Sequence, residues 1–168
     1  MISSGVSDKG RRALVTGAGR GIGRAIALAL AEAGADVALV ARSGDALQEV
    51  AAGIRSSGRA ALTVECDVTD AAAVADMATL VGEKWGGVDI LVNNAGSAES
   101  HAFLKHPDDL WERMIAANLT SVYYVSKAFA PGMVLRKWGR IINIASTAAR
   151  VGAPYVAAYT AAKHGVLG

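Results

Sequence analysis

Five short apolar runs, each separated from the next by a longer segment of helical periodicity, decide which architectures are open to this chain. Arg12–Thr16, Asp36–Ala41, Ala60–Cys66, Val88–Asn93 and Arg140–Ala145 read as buried strands, bounded by turn residues and too short for helices. Helical patterns fill the gaps: Gly21–Ala33, Asp45–Ser57, Asp70–Trp85, and a long one from about Pro107 to Lys137. Such alternation predicts an α/β fold, a doubly wound parallel sheet in three α/β/α layers joined by right-handed crossovers. Local signals agree with it. Gly34 is placed to stop the first helix, Asp70 to cap the third, and Pro131 to kink or interrupt the long one. With 168 residues, 52% of them hydrophobic, there is material for one well-filled core. No repeat, low-complexity stretch or linker divides the chain, so residues 1–168 are expected to form a single domain, with 1–10 as an N-terminal tail.

Composition removes several functional classes. A net charge of +2 without any basic run gives no footing for nucleic acid or a membrane surface. No segment reaches the eighteen or so uninterrupted apolar residues of a membrane span, and the polar start lacks the apolar core of a signal peptide. A cytoplasmic location is therefore expected. The single cysteine, Cys66, cannot close an internal disulfide and reads as a buried structural thiol. No metal-ligand constellation is expected.

Two patterns carry chemistry. Directly after the first strand comes Gly17-Ala18-Gly19-Arg20-Gly21-Ile22-Gly23, followed at once by a helix. Strand, glycine turn and helix N-terminus together make a cradle for a diphosphate. The glycines let backbone approach the phosphates, and free N–H groups with the helix dipole favour the negative charge. The spacing is G-x-x-x-G-x-G rather than the commoner G-x-G-x-x-G, and a turn that merely turns is the competing reading. Near the other end, Tyr159 and Lys163 lie four residues apart in a stretch, Tyr155 to Gly168, that reads as helix. That spacing puts phenol and ammonium on one face. A cation about 4 Å away at an effective dielectric of ~20 favours the phenolate by about 4 kcal/mol, roughly three pKa units. A phenol so perturbed becomes a proton donor or acceptor near neutrality.

Together with Asp67, Asn93-Asn94-Ala95-Gly96, Asn118, Ser146 and Tyr159-Thr160-Ala161-Ala162-Lys163, the glycine turn resembles the short-chain dehydrogenases/reductases, in the family's order and spacing from residue 11 onward. The resemblance is to members of the 3-oxoacyl-ACP reductase type. It implies a Rossmann-type NAD(P)-binding domain and a catalytic set of Asn118, Ser146, Tyr159 and Lys163. Ser146 would hold the substrate oxygen and Tyr159 would exchange the proton. Lys163 would bind the nicotinamide ribose and lower the tyrosine pKa, and Asn118 would hold a water that links Lys163 to solvent. Taken alone, Asn118 reads as a polar residue on a partly exposed helix face, Ser146 as a loop or capping serine, and Lys163 as a surface lysine. Cofactor contacts are implied for Gly17, Gly19, Arg20, Gly21, Ile22, Gly23, Asp67, Val68, Asn94, Ala95, Gly96, Tyr159 and Lys163. Asn93 is expected to be mainly structural. Asp67 also reads as strand-exit turn chemistry.

The second strand ends in Arg42-Ser43, where a carboxylate would bind a ribose 2′-hydroxyl and an arginine a 2′-phosphate. Arg42 and Ser43, with Arg20 in the glycine turn, favour NADP(H) over NAD(H); Asp45 keeps NAD as the alternative. The substrate would be a small-molecule carbonyl or alcohol. Its flanking loops, Ser97–His106 and Thr147–Tyr155, are rich in small and apolar residues, and His101 and His106 either touch substrate or face solvent. A 3-oxoacyl-type ketoreductase is the leading expectation. An NAD-dependent 3-hydroxyacyl or 3-hydroxybutyrate dehydrogenase is the rival, and a nucleotide-binding fragment without turnover is a third reading.

The resemblance further implies homodimers or homotetramers pairing through the long helix, where Ala116, Ala117, Leu119, Val122, Tyr123, Val125 and Ala128 offer apolar surface, and through the tyrosine-bearing helix. The family continues past this point with further strands and a substrate-covering segment, so the domain is expected to be incomplete at its C-terminus. Arg140–Ala145 would then be a bare sheet edge.

Overall fold

The structure, a computed structural model, describes residues 10–168; of the expected tail, residues 1–9 lie outside the described part. In chain order the elements are β1 (Arg12–Thr16), α1 (Gly21–Glu32), β2 (Asp36–Ala41), α2 (Gly44–Ser56), β3 (Ala61–Glu65), α3 (Ala71–Trp85) and β4 (Ile90–Asn93). Then come α4 (Asp108–Ile115), α5 (Ser121–Leu135), β5 (Arg140–Asn143) and α6 (Ala157–Leu167). The strands form one parallel sheet in the order β3-β2-β1-β4-β5. Strand order reverses between β1 and β4, and a crevice opens there at the carboxyl ends of the strands, where ligands bind in open α/β sheets.

Side chains alternate across β1, which divides the core in two. Ala13 and Val15 join Val37, Leu39 and Val92 under the apolar faces of α1 and α2, which contribute Ala27, Ala31, Leu47, Val50 and Ile54. Leu14 points the other way, to Val40 and Leu91 beneath Val74, Met77 and Val81 of α3 and Val125, Phe129 and Met133 of α5. Central strands buried on both faces explain their nearly unbroken apolar runs. A third, small cluster of Leu110, Met114 and Ala158 fastens α4 to α6. Near the amino ends of the strands, buried Asp89 accepts the backbone N–H of Arg12 (3.0 Å) and pairs with the side chains of Arg12 (4.0 Å) and Arg136 (3.7 Å).

The expected boundaries hold to within a few residues, with one correction. The long helix is broken, but not at Pro131, which sits inside an uninterrupted α5. The break is a single π-helical turn, Ala116–Thr120, around Asn118. Asp70 caps α3 as expected, accepting the N–H groups of Ala72 (2.8 Å) and Ala73 (3.3 Å). The apolar pairing surface is also reassigned in part. Val125 is core, and Ala116 and Ala117 turn toward the crevice, leaving Tyr123 exposed. Among the described residues, no helix is long and apolar enough to cross a membrane, and no three metal-ligating side chains gather.

Candidate active site

The crevice is a cleft of about 1110 Å³. It runs from the carboxyl end of β2 and the turn after β3, across the glycine turn, to the loop after β4 and the start of the π turn. Every residue expected to contact a dinucleotide lines it, apart from Tyr159 and Lys163. Its floor is cross-braced. The Thr16 hydroxyl accepts the N–H groups of Asn94 and Ala95, both at 3.0 Å, and Asn94 Nδ2 donates to the carbonyls of Thr16 (2.9 Å) and Gly17 (3.3 Å). Asn94, expected mainly to line the cofactor, thus also ties β4 to the glycine turn. Asn93 is structural as expected, donating to Ser126 (3.0 Å) and Asn143 (2.8 Å).

The glycine turn suits phosphates for reasons that can be checked atom by atom. At Gly23 a Cβ would strike the Gly17 carbonyl, so helix and strand pack closer there than any side chain permits. Gly21 adopts φ +54, and nothing stands within 4 Å of where its Cβ would be, so that side of the turn is open to a ligand. Arg20, at the N-cap position of α1, and Arg42 both line the cleft and are exposed, and among the described residues neither is in an ion pair. Ser43 caps α2 by position only, its hydroxyl making no capping bond. Asp67 accepts the backbone N–H (3.0 Å) and hydroxyl (2.8 Å) of Thr69. Those bonds, with a smaller contribution from the nearby Arg42 charge, hold its carboxyl below the usual range. Cys66, buried beside it, is pushed up by burial and then by Asp67, Asp70 and Asp76. A cleft with glycine backbone, free cations and a helix N-terminus fits a dinucleotide.

Beyond the inner end of the cleft, two of the four expected catalytic residues, Asn118 and Lys163, meet at Gly96. A Cβ on Gly96 would stand 2.5 Å from Asn118 Oδ1 and 3.8 Å from Lys163 Nζ. Asn118 is wholly buried, which corrects its reading as a partly exposed residue. Its Nδ2 donates to the carbonyls of Ser97 (2.8 Å) and Met114 (3.0 Å), and its Oδ1 accepts from the Ser97 amide (3.3 Å). Lys163 is 5% exposed, and burial lowers its pKa. It shares a face of α6 with Tyr159, Nζ lying 5.8 Å from the ring centroid, while its hydrogen bond goes to the Ile144 carbonyl at 2.8 Å. The expected free ammonium beside the phenol is therefore a lysine tethered to the strand end. Ser146 follows β5 and accepts the Ala148 amide (3.2 Å) at the start of a short 3₁₀ turn, Thr147–Ala149.

The cleft also contains residues that the sequence did not single out. Ala46, Thr69, Glu99, Arg113 and Met114 all line it. Met114 lies one helical turn before Asn118, a spacing that could have pointed to it. Glu99 and Arg113 (3.6 Å apart) meet only because the loop folds back on α4. His101 and His106 are half-buried rather than solvated, with ring centroids 6.2 Å apart, and His101 Nδ1 is buried without a partner.

Residues 11–168 match the short chain dehydrogenase family. A D-beta-hydroxybutyrate dehydrogenase of Rhizobium meliloti is 42% identical over 162 residues, covering 94% of this chain and 62% of the relative. A 3-oxoacyl-[acyl-carrier-protein] reductase of a Synechocystis species is 43% identical over 157 residues, covering 93% of the chain and 64% of the relative. The chain thus spans less than two thirds of the length of either. A metagenomic short-chain oxidoreductase solved in complex with NADP superposes with a TM-score of 0.91 at 42% identity, over 95% of this chain and 72% of that one.

Proposed function

The chain belongs to the short-chain dehydrogenases, and on that footing we propose that it serves an NADPH-dependent ketoreductase acting on a ketone such as a 3-oxoacyl thioester. The observation that carries the reading is the junction at Gly96. A dinucleotide-shaped cleft ends against the same glycine that Asn118 Oδ1 and Lys163 Nζ approach from behind. The glycine turn and the N-terminus of α1 would hold the diphosphate, and Asp67 with Val68 would border the adenine. Arg20 and Arg42, in no ion pair among the described residues, beside an uncommitted Ser43 hydroxyl, support a 2′-phosphate, hence NADP rather than NAD. The nicotinamide supplies the hydride when bound.

The protein's own part is positioning and proton transfer. The Ser146 hydroxyl donates to the substrate oxygen and fixes its direction. The Tyr159 phenol gives its proton to that oxygen as negative charge develops there, a role that contributes ~10²–10⁴-fold in rate. Lys163, held by the Ile144 carbonyl on one side, keeps its ammonium on the Tyr159 face of α6, 5.8 Å from the ring centroid, where it would meet the nicotinamide ribose. Asn118, locked between Ser97 and Met114, fixes the loop over Lys163 and stands where a water could pass protons to it.

The test follows consumption of NADPH and NADH with a panel of β-keto esters. Wild type should prefer NADPH, and Tyr159→Phe should lose at least ~10²-fold in kcat with its NADPH Kd unchanged. Unchanged turnover in that variant disposes of the assignment. The 42%-identical hydroxybutyrate dehydrogenase supports a second reading, NAD-dependent oxidation of a 3-hydroxy acid, which a preference for NADH would establish. Tight cofactor binding without turnover would leave a nucleotide-binding fragment.

A further inference from the structure

Tyr155 adopts φ +67, one of two non-glycine residues with positive φ among those described. The other, Lys137, lies just past the C-terminus of α5. A bulky residue in the left-handed region persists only where its surroundings hold it there, and such places cluster at functional sites. Here the holder is visible: the Tyr155 carbonyl accepts the backbone N–H of His101 at 2.7 Å. Among the described residues this is the one hydrogen bond that joins the loop after β4 to the loop after β5. Two residues on, α6 begins without a side-chain cap, Val156 offering only its carbonyl to the Thr160 amide (2.8 Å). Tyr159 lies in that first turn. The start of α6 also packs through Ala158 against Leu110 and Met114, and the helix rests as well on the Thr147–Ala149 turn and the π turn. Tyr155 as a residue is 65% exposed, so it is its backbone bond to His101 that the fold uses.

We propose that Tyr155 is a positioning residue: its left-handed backbone, pinned by the His101 amide, fixes where α6 starts and thereby aims the Tyr159 phenol at the oxygen held by Ser146. The proposal rests on the reading of Tyr159 as proton donor. In the full chain, Tyr155→Asn and Tyr155→Val both remove the ring, but asparagine tolerates the left-handed region and a β-branched residue does not. Misaiming a reacting group by about 1 Å can cost ~10²-fold. With a β-keto ester and NADPH, Tyr155→Val should therefore lose roughly ten- to hundred-fold in kcat with KM for NADPH unchanged, and Tyr155→Asn should keep the wild-type kcat. Amide hydrogen exchange at residues 160–162, the first bonded amides of α6, should quicken in Tyr155→Val and stay protected in Tyr155→Asn, with β1 and β2 unaltered in both. Equal loss in the two variants would assign the work to the ring and overturn the proposal. Undiminished turnover in Tyr155→Val would overturn it as well. If wild type reduces no ketone, the ketoreductase reading fails on its own, and unchanged exchange in Tyr155→Val would separately remove the joint.

Discussion

Lys163 answers two opposed demands. In the proposed mechanism it keeps a charge near Tyr159, yet it is nearly enclosed, with one hydrogen bond, to Ile144, to replace the water it gives up. Burial therefore lowers its pKa from the ordinary 10.5. Between the lowered value and 10.5 the unfolded chain holds a proton that the folded chain releases, so stability rises with pH across that window. Urea midpoints of the wild type should climb as pH approaches ~10.4 from below, and the climb should be smaller in Lys163→Met. The same residue shows what a sequence can and cannot disclose. Its partnership with Tyr159 follows from four-residue spacing, whereas its bond to Ile144 spans 19 residues and depends on how β5 ends. Asn118, read alone a polar residue on a partly exposed helix face, is buried in the π turn with its amide bonded to Ser97, 21 residues away in sequence. Nothing in the side-chain pattern of residues 116–120 announces that turn.

At the scale of elements, signals written in a few neighbouring residues translated faithfully. The Asp70 carboxylate bonds two first-turn amides of α3, as its place before an alanine-rich helix implies. Asp70→Ala should destabilise the fold by about 1 kcal/mol, seen as a lower urea midpoint with an unchanged slope. Pro131 was the clearest helix breaker in the chain, yet α5 runs through it. Its ring lies on an exposed side, and the carbonyl it leaves unbonded, that of Lys127, belongs to an exposed residue and can turn to water. The cost of an interior proline is met by solvent, while the real interruption falls where Asn118 needs it. Strand positions were legible because both faces of the central sheet are buried, giving apolar runs that no other element length explains.

At the scale of the molecule, the sheet is protected on one flank better than on the other. Residues 140–143 of β5 are all exposed, Ile141 at 41% and Ile142 at 45%, and β5 pairs on one side only, with β4. Ile142 aligns with Val92 on the face covered by α1 and α2, which do not extend over it. An open apolar edge invites pairing between molecules. Light scattering on residues 1–168 taken by themselves should show concentration-dependent association, reduced in Ile142→Lys with NADPH affinity intact. The opposite property prevails at the centre. Thr16 and Asn94 draw on residues 78 positions apart to bolt the two middle strands and the glycine turn into one plank. A dinucleotide therefore lands on ground already levelled. Little ordering entropy remains to be surrendered at the phosphates, so capture should be quick and should need no closing stroke from that half of the protein.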